Sequence, residues 1–261
     1  MLKNNQLKKK MLEGKPVIGT WNTLASPLVT EVFALAGFDF QIIDLEHGPF
    51  VLSEIHKHVS ACESTTSCTP LVRIPVNEEW LALQALDQGA HGLVVPHINS
   101  VDSAKQFVNA TKYNPAGKRG FSPFTKAGGF TNLDTSVYVN RANTETINIA
   151  IIESKDGIEA LDEILDIDEI DVIYFGAYDL SQEFGCPGDV RDQHLIDIIQ
   201  GGVKKVNQAS KYAGGFVPQN IDDVKWLLDI GMKFITYEVD SSIIHTSVRT
   251  ITNWFSEEIA K

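Results

Sequence analysis

Short apolar runs recur along this chain, and each is followed by a stretch with helical spacing. The runs fall at 16–21 (PVIGTW), 38–44 (FDFQIID), 70–75 (PLVRIP), 92–96 (GLVVP), 148–153 (NIAIIE), 171–176 (DVIYFG), 212–217 (YAGGFV) and 233–238 (KFITYE). Helical patterns separate them near 27–36, 52–62, 78–88, 100–111, 157–165, 192–209 and 220–230, and one more closes the chain near 243–257. Strands that are apolar on both faces must be covered on both, and strands joined through helices pair in parallel. Eight such units in 261 residues have the size of a TIM (β/α)8 barrel, a fold that works at the carboxyl ends of its strands. A doubly wound open sheet is the alternative, but no GxGxxG or GxxxxGK[ST] follows the first run. We expect a single barrel domain over residues 1–261.

The segment 112–147 breaks this rhythm, being far longer than the ~4–6 residues typical of a connection. It carries Lys118, Arg119 and Lys126 among glycines, and the aromatics Phe121, Phe124, Phe130 and Tyr138. Either it is a mobile surface insertion, or it is an arm packed on the barrel mouth or on a neighbouring subunit.

Charge narrows the partners. With 22 Lys and Arg against 34 Asp and Glu, the net charge is -12, which argues against nucleic acid or an anionic membrane as the main partner. The start of the chain has Lys3, Lys8, Lys9 and Lys10 but no apolar run of signal-peptide length, and nowhere do ~18 apolar residues run together. A cytoplasmic protein is expected. Cys62, Cys68 and Cys186 are odd in number and lack CxxC spacing, so they read as reduced and structural.

A barrel would gather at one face the residues that end its strands: Trp21, then Asp44, Glu46 and His47, then Arg73, then Pro96 and His97, then Glu153 and Asp179. Glu153 and Asp179 suit a hard divalent cation, since Mg²⁺ or Mn²⁺ takes one or two carboxylates and leaves room for water and substrate oxygens. The structural alternatives are a salt bridge from Glu153 to Lys155 or Lys126, and a helix N-cap at Asp179. Arg73 lies inside PLVRIP, where a guanidinium needs a partner. That partner is an anionic ligand or an internal carboxylate, Asp44 or Glu46. His47 is the candidate base, because imidazole exchanges a proton near neutral pH. His56, His58, His91, His97, His194 and His245 read as surface or structural.

In order and spacing, DLEHGPF at 44–50, PLVRIP at 70–75, LDQGAHGLVVPHINS at 86–100, IIESKDG at 151–157 and YFGAYDLS at 174–181 resemble the metal-dependent pyruvate aldolases of the HpcH/HpaI aldolase/citrate lyase family. The resemblance spans nearly the whole chain from GTWN at 19–22. It implies a TIM barrel assembled as a homo-oligomer, usually a hexamer, that binds Mg²⁺, Mn²⁺ or Co²⁺ and breaks or forms a carbon–carbon bond next to pyruvate. By this resemblance Glu153 and Asp179 are metal ligands, Arg73 stabilises the transition state, His47 is the general base, and Asp87 raises that histidine's basicity. Trp21 lines the pocket, the backbone from Gly176 through Ala177 and Tyr178 to Asp179 holds the pyruvyl carboxylate, and Asp44 and Glu46 stand behind as orienting carboxylates. Barrel geometry, however, predicts Asp87 at the end opposite His47, so their pairing needs a neighbouring subunit or an irregular path.

Two positions depart from the family. Ile151 stands where glutamine is common, and Gly176-Ala177-Tyr178-Asp179 replaces Gly-Pro-Ala-Asp or Gly-Pro-Asn-Asp. The expected partners are a small 2-oxo acid and an aldehyde. The competing readings are an acyl-coenzyme A lyase of the citrate lyase type, a Schiff-base aldolase using Lys155 or Lys126, and a sugar-acid binding barrel without catalysis.

Overall fold

The apolar runs close into a ring of parallel strands in the computed structural model, which describes residues 5–65, 67–130, 134–217 and 220–260. Lys3 and the stretch 131–133 of the long segment lie outside the described residues. The strands are β1 (Val17–Asn22), β2 (Phe40–Asp44), β3 (Thr69–Arg73), β4 (Gly92–Val95), β5 (Ile147–Ile152), β6 (Val172–Phe175), β7 (Tyr212–Val217) and β8 (Phe234–Val239). They pair in sequence order, and β8 returns to β1 to shut the barrel. At this seam the register slips between Gly19 and Trp21, where Glu238 takes a left-handed φ of 58°.

Alternation along each strand divides the core in two. Inward residues such as Phe40, Ile42, Leu71, Val94, Ile149 and Phe234 fill the ring, with the Phe40 and Phe234 rings stacked 4.2 Å apart. Outward residues such as Ile43, Val72, Ile152 and Phe175 pack under the helices. Asn22, Thr30, Gln41 and His58 are buried outside β1 and β2, where Asn22 donates to Thr30 and Gln41 and the His58 Nδ1 lies 2.8 Å from Thr30 Oγ1. His58 is therefore a core group, and burial holds its pKa below the usual histidine value. Cys62, Cys68 and Cys186 are free thiols.

The amino-terminal end of the ring is plugged. Helix Gln6–Leu12 inserts Leu7 and Met11 into the inner core, and the Tyr212 hydroxyl donates to the Met11 carbonyl at 2.6 Å. The long segment belongs to this same end, because it connects helix Val101–Thr111 to the start of β5. Its second half is helix Thr135–Glu145, fixed by Lys112, whose buried Nζ donates to the carbonyls of Asn143 and Thr146. Burial lowers the Lys112 pKa to about 8. Arg119 is buried against Asp87 at 2.8 Å and lies over the Tyr113 ring, while Lys126 meets Glu63 at 2.9 Å. Thus Arg119 and Lys126 anchor the segment below the barrel. Tyr138 is buried against Tyr113, whereas Phe121, Phe124 and Phe130 remain exposed. Of the two packing sites expected for this segment, the barrel mouth is excluded for these anchored residues.

The carboxyl-terminal end stays open. Helix Asp240–Ile259 starts there with the buried Asp240, whose carboxylate accepts from the backbone N–H groups of Thr23 and Leu24, both at 2.9 Å. Among the described residues no helix is long and apolar enough to cross a membrane.

Candidate active site

Arg73 organises the open end. Its place as the last residue of β3 sets it beside Asp44, the last residue of β2, in direct register. The guanidinium closes on that carboxylate in two bonds, Nε to Oδ1 at 2.7 Å and Nη2 to Oδ2 at 2.5 Å. A further nitrogen, Nη1, lies 3.0 Å from Glu46 Oε2. The Trp21 ring covers its face at 4.3 Å, and Tyr174 meets Trp21 edge-on. Of the two partners open to Arg73, the internal carboxylates are present. They hold the group in its charged form, raising its pKa against the opposing effect of burial. Two of the five guanidinium N–H groups donate to Asp44, and Nη1 faces Glu46 as an ion pair.

Asp44 also shapes the turn after β2. Its Oδ1 accepts the backbone N–H groups of Glu46 at 3.0 Å and His47 at 3.3 Å. This fold-back carries His47 to the rim of a cavity of about 260 Å³, whose lining includes Trp21, Asp44, Arg73, Ile151, Glu153, Tyr174 and Asp179. Gly176, Ala177 and Tyr178 complete that side. Ile151 is buried, so an apolar side chain stands where the family resemblance leads one to expect an amide.

On the far side, Glu153 follows β5 and is buried. Neither Lys155 nor Lys126 is its partner in a salt bridge. Its Oε1 instead accepts from the backbone N–H of His97 at 2.7 Å and lies 2.8 Å from the His97 Nδ1. His97 takes a left-handed φ of 57° to make both contacts, and its Nε2 stands 3.9 Å from Glu46 Oε1. His97 is exposed, as expected of a surface or structural residue, and it also carries the contacts of Glu153, a role that its position directly after β4 could have signalled.

A divalent cation fits this donor set. The other oxygen of Glu153, Oε2, lies 2.9 Å from where a Cβ on residue 176 would stand, so glycine at that position leaves the oxygen open. Burial pushes the Glu153 carboxyl above the ordinary carboxylate range, against the His97 N–H and ring, and the negative charges of Asp179 and Glu46 push it further. Positive charge is what such a site lacks. Asp179 lies in the first turn of helix Ala177–Glu183, whose N-cap is Gly176, so the aspartate does not act as the cap. Among the described residues no group of three or more His, Cys, Asp or Glu side chains gathers around one point. A cation at Glu153 and Asp179 would thus leave most positions to water and ligand oxygens, the arrangement Mg²⁺ favours.

Asp87 is not brought into the cavity. It ends helix Glu79–Asp87, ahead of β4, and is paired with Arg119 at the plugged end of the barrel. Within one chain it cannot orient His47. Arg119 and Lys126 lie at that end too.

Comparison with known proteins identifies the family. The family model for HpcH/HpaI aldolase/citrate lyase matches residues 17–246. The chain belongs to that family. A hydroxypyruvate/pyruvate aldolase from Roseovarius nubinhibens is 31% identical over 258 residues, covering 97% of this chain and 98% of the relative. A 2-keto-3-deoxy-L-rhamnonate aldolase from Escherichia coli is 30% identical over 243 residues, covering 93% and 90%. A family member of known structure from Burkholderia cenocepacia superposes with a TM-score of 0.91 at 27% identity, covering 97% of this chain and 99% of that one.

The charge imbalance at Glu153 makes a prediction about stability. Without added metal near pH 7, Glu153→Gln raises the thermal midpoint, because it removes a buried carboxylate held ionised beside other carboxylates. A raised folded-state pKa means that wild type recovers stability as pH falls through that value, so the gap between the two proteins narrows in acid. Thermal unfolding of both proteins from pH 7 down to pH 4 checks this; a Gln variant less stable than wild type at pH 7 would contradict it.

Proposed function

We propose that this chain is a carbon–carbon lyase, a divalent-metal-dependent aldolase that cleaves or forms a 4-hydroxy-2-oxo acid, with pyruvate and an aldehyde as the cleaved pair. The observation that carries the reading is the meeting of Arg73, His47, Glu153 and Asp179 around one cavity at the open end of the barrel. The aldolase names of its relatives point to the same chemistry. We assign the ion, Mg²⁺ or Mn²⁺ with Co²⁺ as a further option, to Glu153 and Asp179. When bound it supplies Lewis acidity for the 2-oxo acid's oxygens.

The residues of the chain then divide the work. The backbone N–H groups of Ala177, Tyr178 and Asp179, left without intrahelical acceptors in the first turn after Gly176, take the pyruvyl carboxylate. Arg73, fixed by Asp44 and Glu46, turns its remaining N–H groups to the oxyanion that develops as the bond breaks. Because Asp44 and Glu46 already hold it, little reorganisation is needed at the moment of reaction. His47 removes the proton from the 4-hydroxyl in cleavage and returns it in condensation. Trp21 closes the wall behind Arg73 and excludes water from that side. Asp44 and Glu46 act on Arg73 and on the turn that bears His47.

Pyruvate release from a 4-hydroxy-2-oxo acid tests the assignment. Release should stop with EDTA and return with Mg²⁺ or Mn²⁺, and His47→Ala should lower kcat by about 10²–10⁴-fold. Activity that survives thorough chelation would remove the ion from the reading, and an unimpaired His47→Ala would remove the base.

The same reading makes the protein a cytoplasmic homo-oligomer. Helix Asp240–Ile259 leaves Ile244, Val248, Ile251 and Phe255 exposed at helical spacing, and helix Pro27–Ala36 does the same with Leu28, Val32 and Leu35. Apolar stripes of this kind mark surfaces that another chain covers. A neighbouring subunit is also the route by which Asp87 could reach a His47. Sedimentation at micromolar concentration should give a multiple of the 28.8 kDa chain, six by resemblance to the family; a monomer would contradict it.

A further inference from the structure

A second space of about 50 Å³ lies beside the main cavity, under the carboxyl ends of β6 and β7 and against helices Gln193–Gln208 and Ile221–Asp229. Nothing in the reaction above uses it. Its walls are mostly apolar, with Phe175, Ile199, Trp226, Leu227 and Met232 among them and Tyr178, Arg191 and Asp223 as the polar groups. Gly215 contributes no side chain, and a Cβ there would stand 2.6 Å from the Met232 sulfur. The space shares Phe175, Ala177, Tyr178 and Phe216 with the main cavity. Of these shared residues, Tyr178 and Phe216 have rings tilted and 6.1 Å apart.

The charged groups of this space are already matched. Arg191 forms an ion pair with Asp223, and its guanidinium also lies 4.6 Å from the centre of the Trp226 ring. A carboxylate tail would have to displace Asp223 from Arg191. A polyhydroxylated tail would bury hydroxyls against Leu227, Met232 and Ile199 without acceptors, at a cost in binding. An alkyl tail meets neither obstacle. An apolar cavity of about 150 Å³ holds a six-carbon ring, so this one accommodates roughly two or three carbons.

We propose that this space is the subsite for the aldehyde's tail, and that it selects short unbranched alkyl aldehydes over acidic or polyhydroxylated ones of similar length. The proposal rests on the pyruvate aldolase reading and names its second substrate by class. In the condensing direction, C3 of pyruvate, having lost a proton, bonds to the aldehyde carbon. The aldehyde oxygen gains a proton to become the 4-hydroxyl, and no atom is lost. With C1 of the aldehyde at the pyruvyl carbon, Tyr178 and Phe216 would flank C2, and the carbons beyond would enter the apolar space. Tyr178, which stands where the family has a small residue, thereby becomes a specificity-determining side chain.

The test is condensation of pyruvate with a graded set of aldehydes on the metal-loaded enzyme. From acetaldehyde to butanal, kcat/KM should rise about fourfold per methylene, the transfer value for one buried CH₂. It should stop rising by hexanal, and succinic semialdehyde and glyceraldehyde should fall below butanal. Leu227→Phe, which fills the space, should lower the butanal-to-acetaldehyde ratio about tenfold, and Leu227→Ala should move the optimum to a longer chain. Because the wild-type series and Leu227→Ala each read the subsite, the outcome does not depend on Leu227→Phe folding. A series flat in chain length, a preference for succinic semialdehyde, or ratios unmoved in the variants would overturn the subsite while leaving the aldolase reading intact. No product from any aldehyde, together with no pyruvate release in cleavage, would overturn the aldolase reading and the subsite with it.

Discussion

The bidentate pair between Arg73 and Asp44 holds the open end of the barrel in its working shape. A guanidinium at the end of an apolar strand is costly to desolvate, and its attraction to a buried carboxylate roughly offsets that cost without adding stability. What the pair contributes is position. Asp44 fixes Arg73 with both oxygens and, with one of the same oxygens, accepts the N–H groups that fold the chain back to His47. The cationic group and the candidate base are thus set by one side chain. Glu46 extends the arrangement, touching Arg73 with one oxygen and approaching His97 with the other. A chain of polar contacts therefore runs from β2 and β3 through His97 to Glu153, which follows β5.

On the Glu153 side the balance is different. Arg73 is met by two carboxylates, but among the described residues no Lys or Arg forms an ion pair with Glu153 or Asp179, and the His97 that contacts Glu153 is largely exposed. The left-handed backbone at His97 is uncommon for a residue other than glycine, though histidine is among those that tolerate it better. It allows one residue to present both its N–H and its ring to Oε1, turning the remaining oxygen toward Gly176. The result is a site with surplus negative charge on one wall and a pre-set positive charge on the other. A 2-oxo acid bound through a cation would meet both.

Much of this was legible in the sequence because barrels put function where their strands end. The period of the apolar runs gave all eight strands, and strand-end position alone pointed to Trp21, Arg73, Glu153 and the Asp44-to-His47 turn. Asp87 at the far end was also predictable, since it closes a helix that precedes β4. The contact of the exposed His97 with Glu153 was not legible, because the two are 56 residues apart and no local charge marks the pair. The location of the 112–147 segment was hidden for a related reason. Its glycines, basic residues and aromatics left a mobile insertion and a packed arm both open, but Arg119 and Lys126 pair with Asp87 and Glu63, and those pairings depend on which end of the barrel the connection returns to. Side chains whose role is set by distant partners are invisible to pattern.

Joint binding of a divalent cation by Glu153 and Asp179, with Arg73 across the cavity, is open to anomalous scattering from crystals grown with Mn²⁺ and pyruvate. One strong peak is expected within about 2.0–2.6 Å of oxygens from both Glu153 and Asp179, the range of hard-cation bonds. A fully formed crystal whose cavity shows no peak, or one bound through other residues, would contradict it.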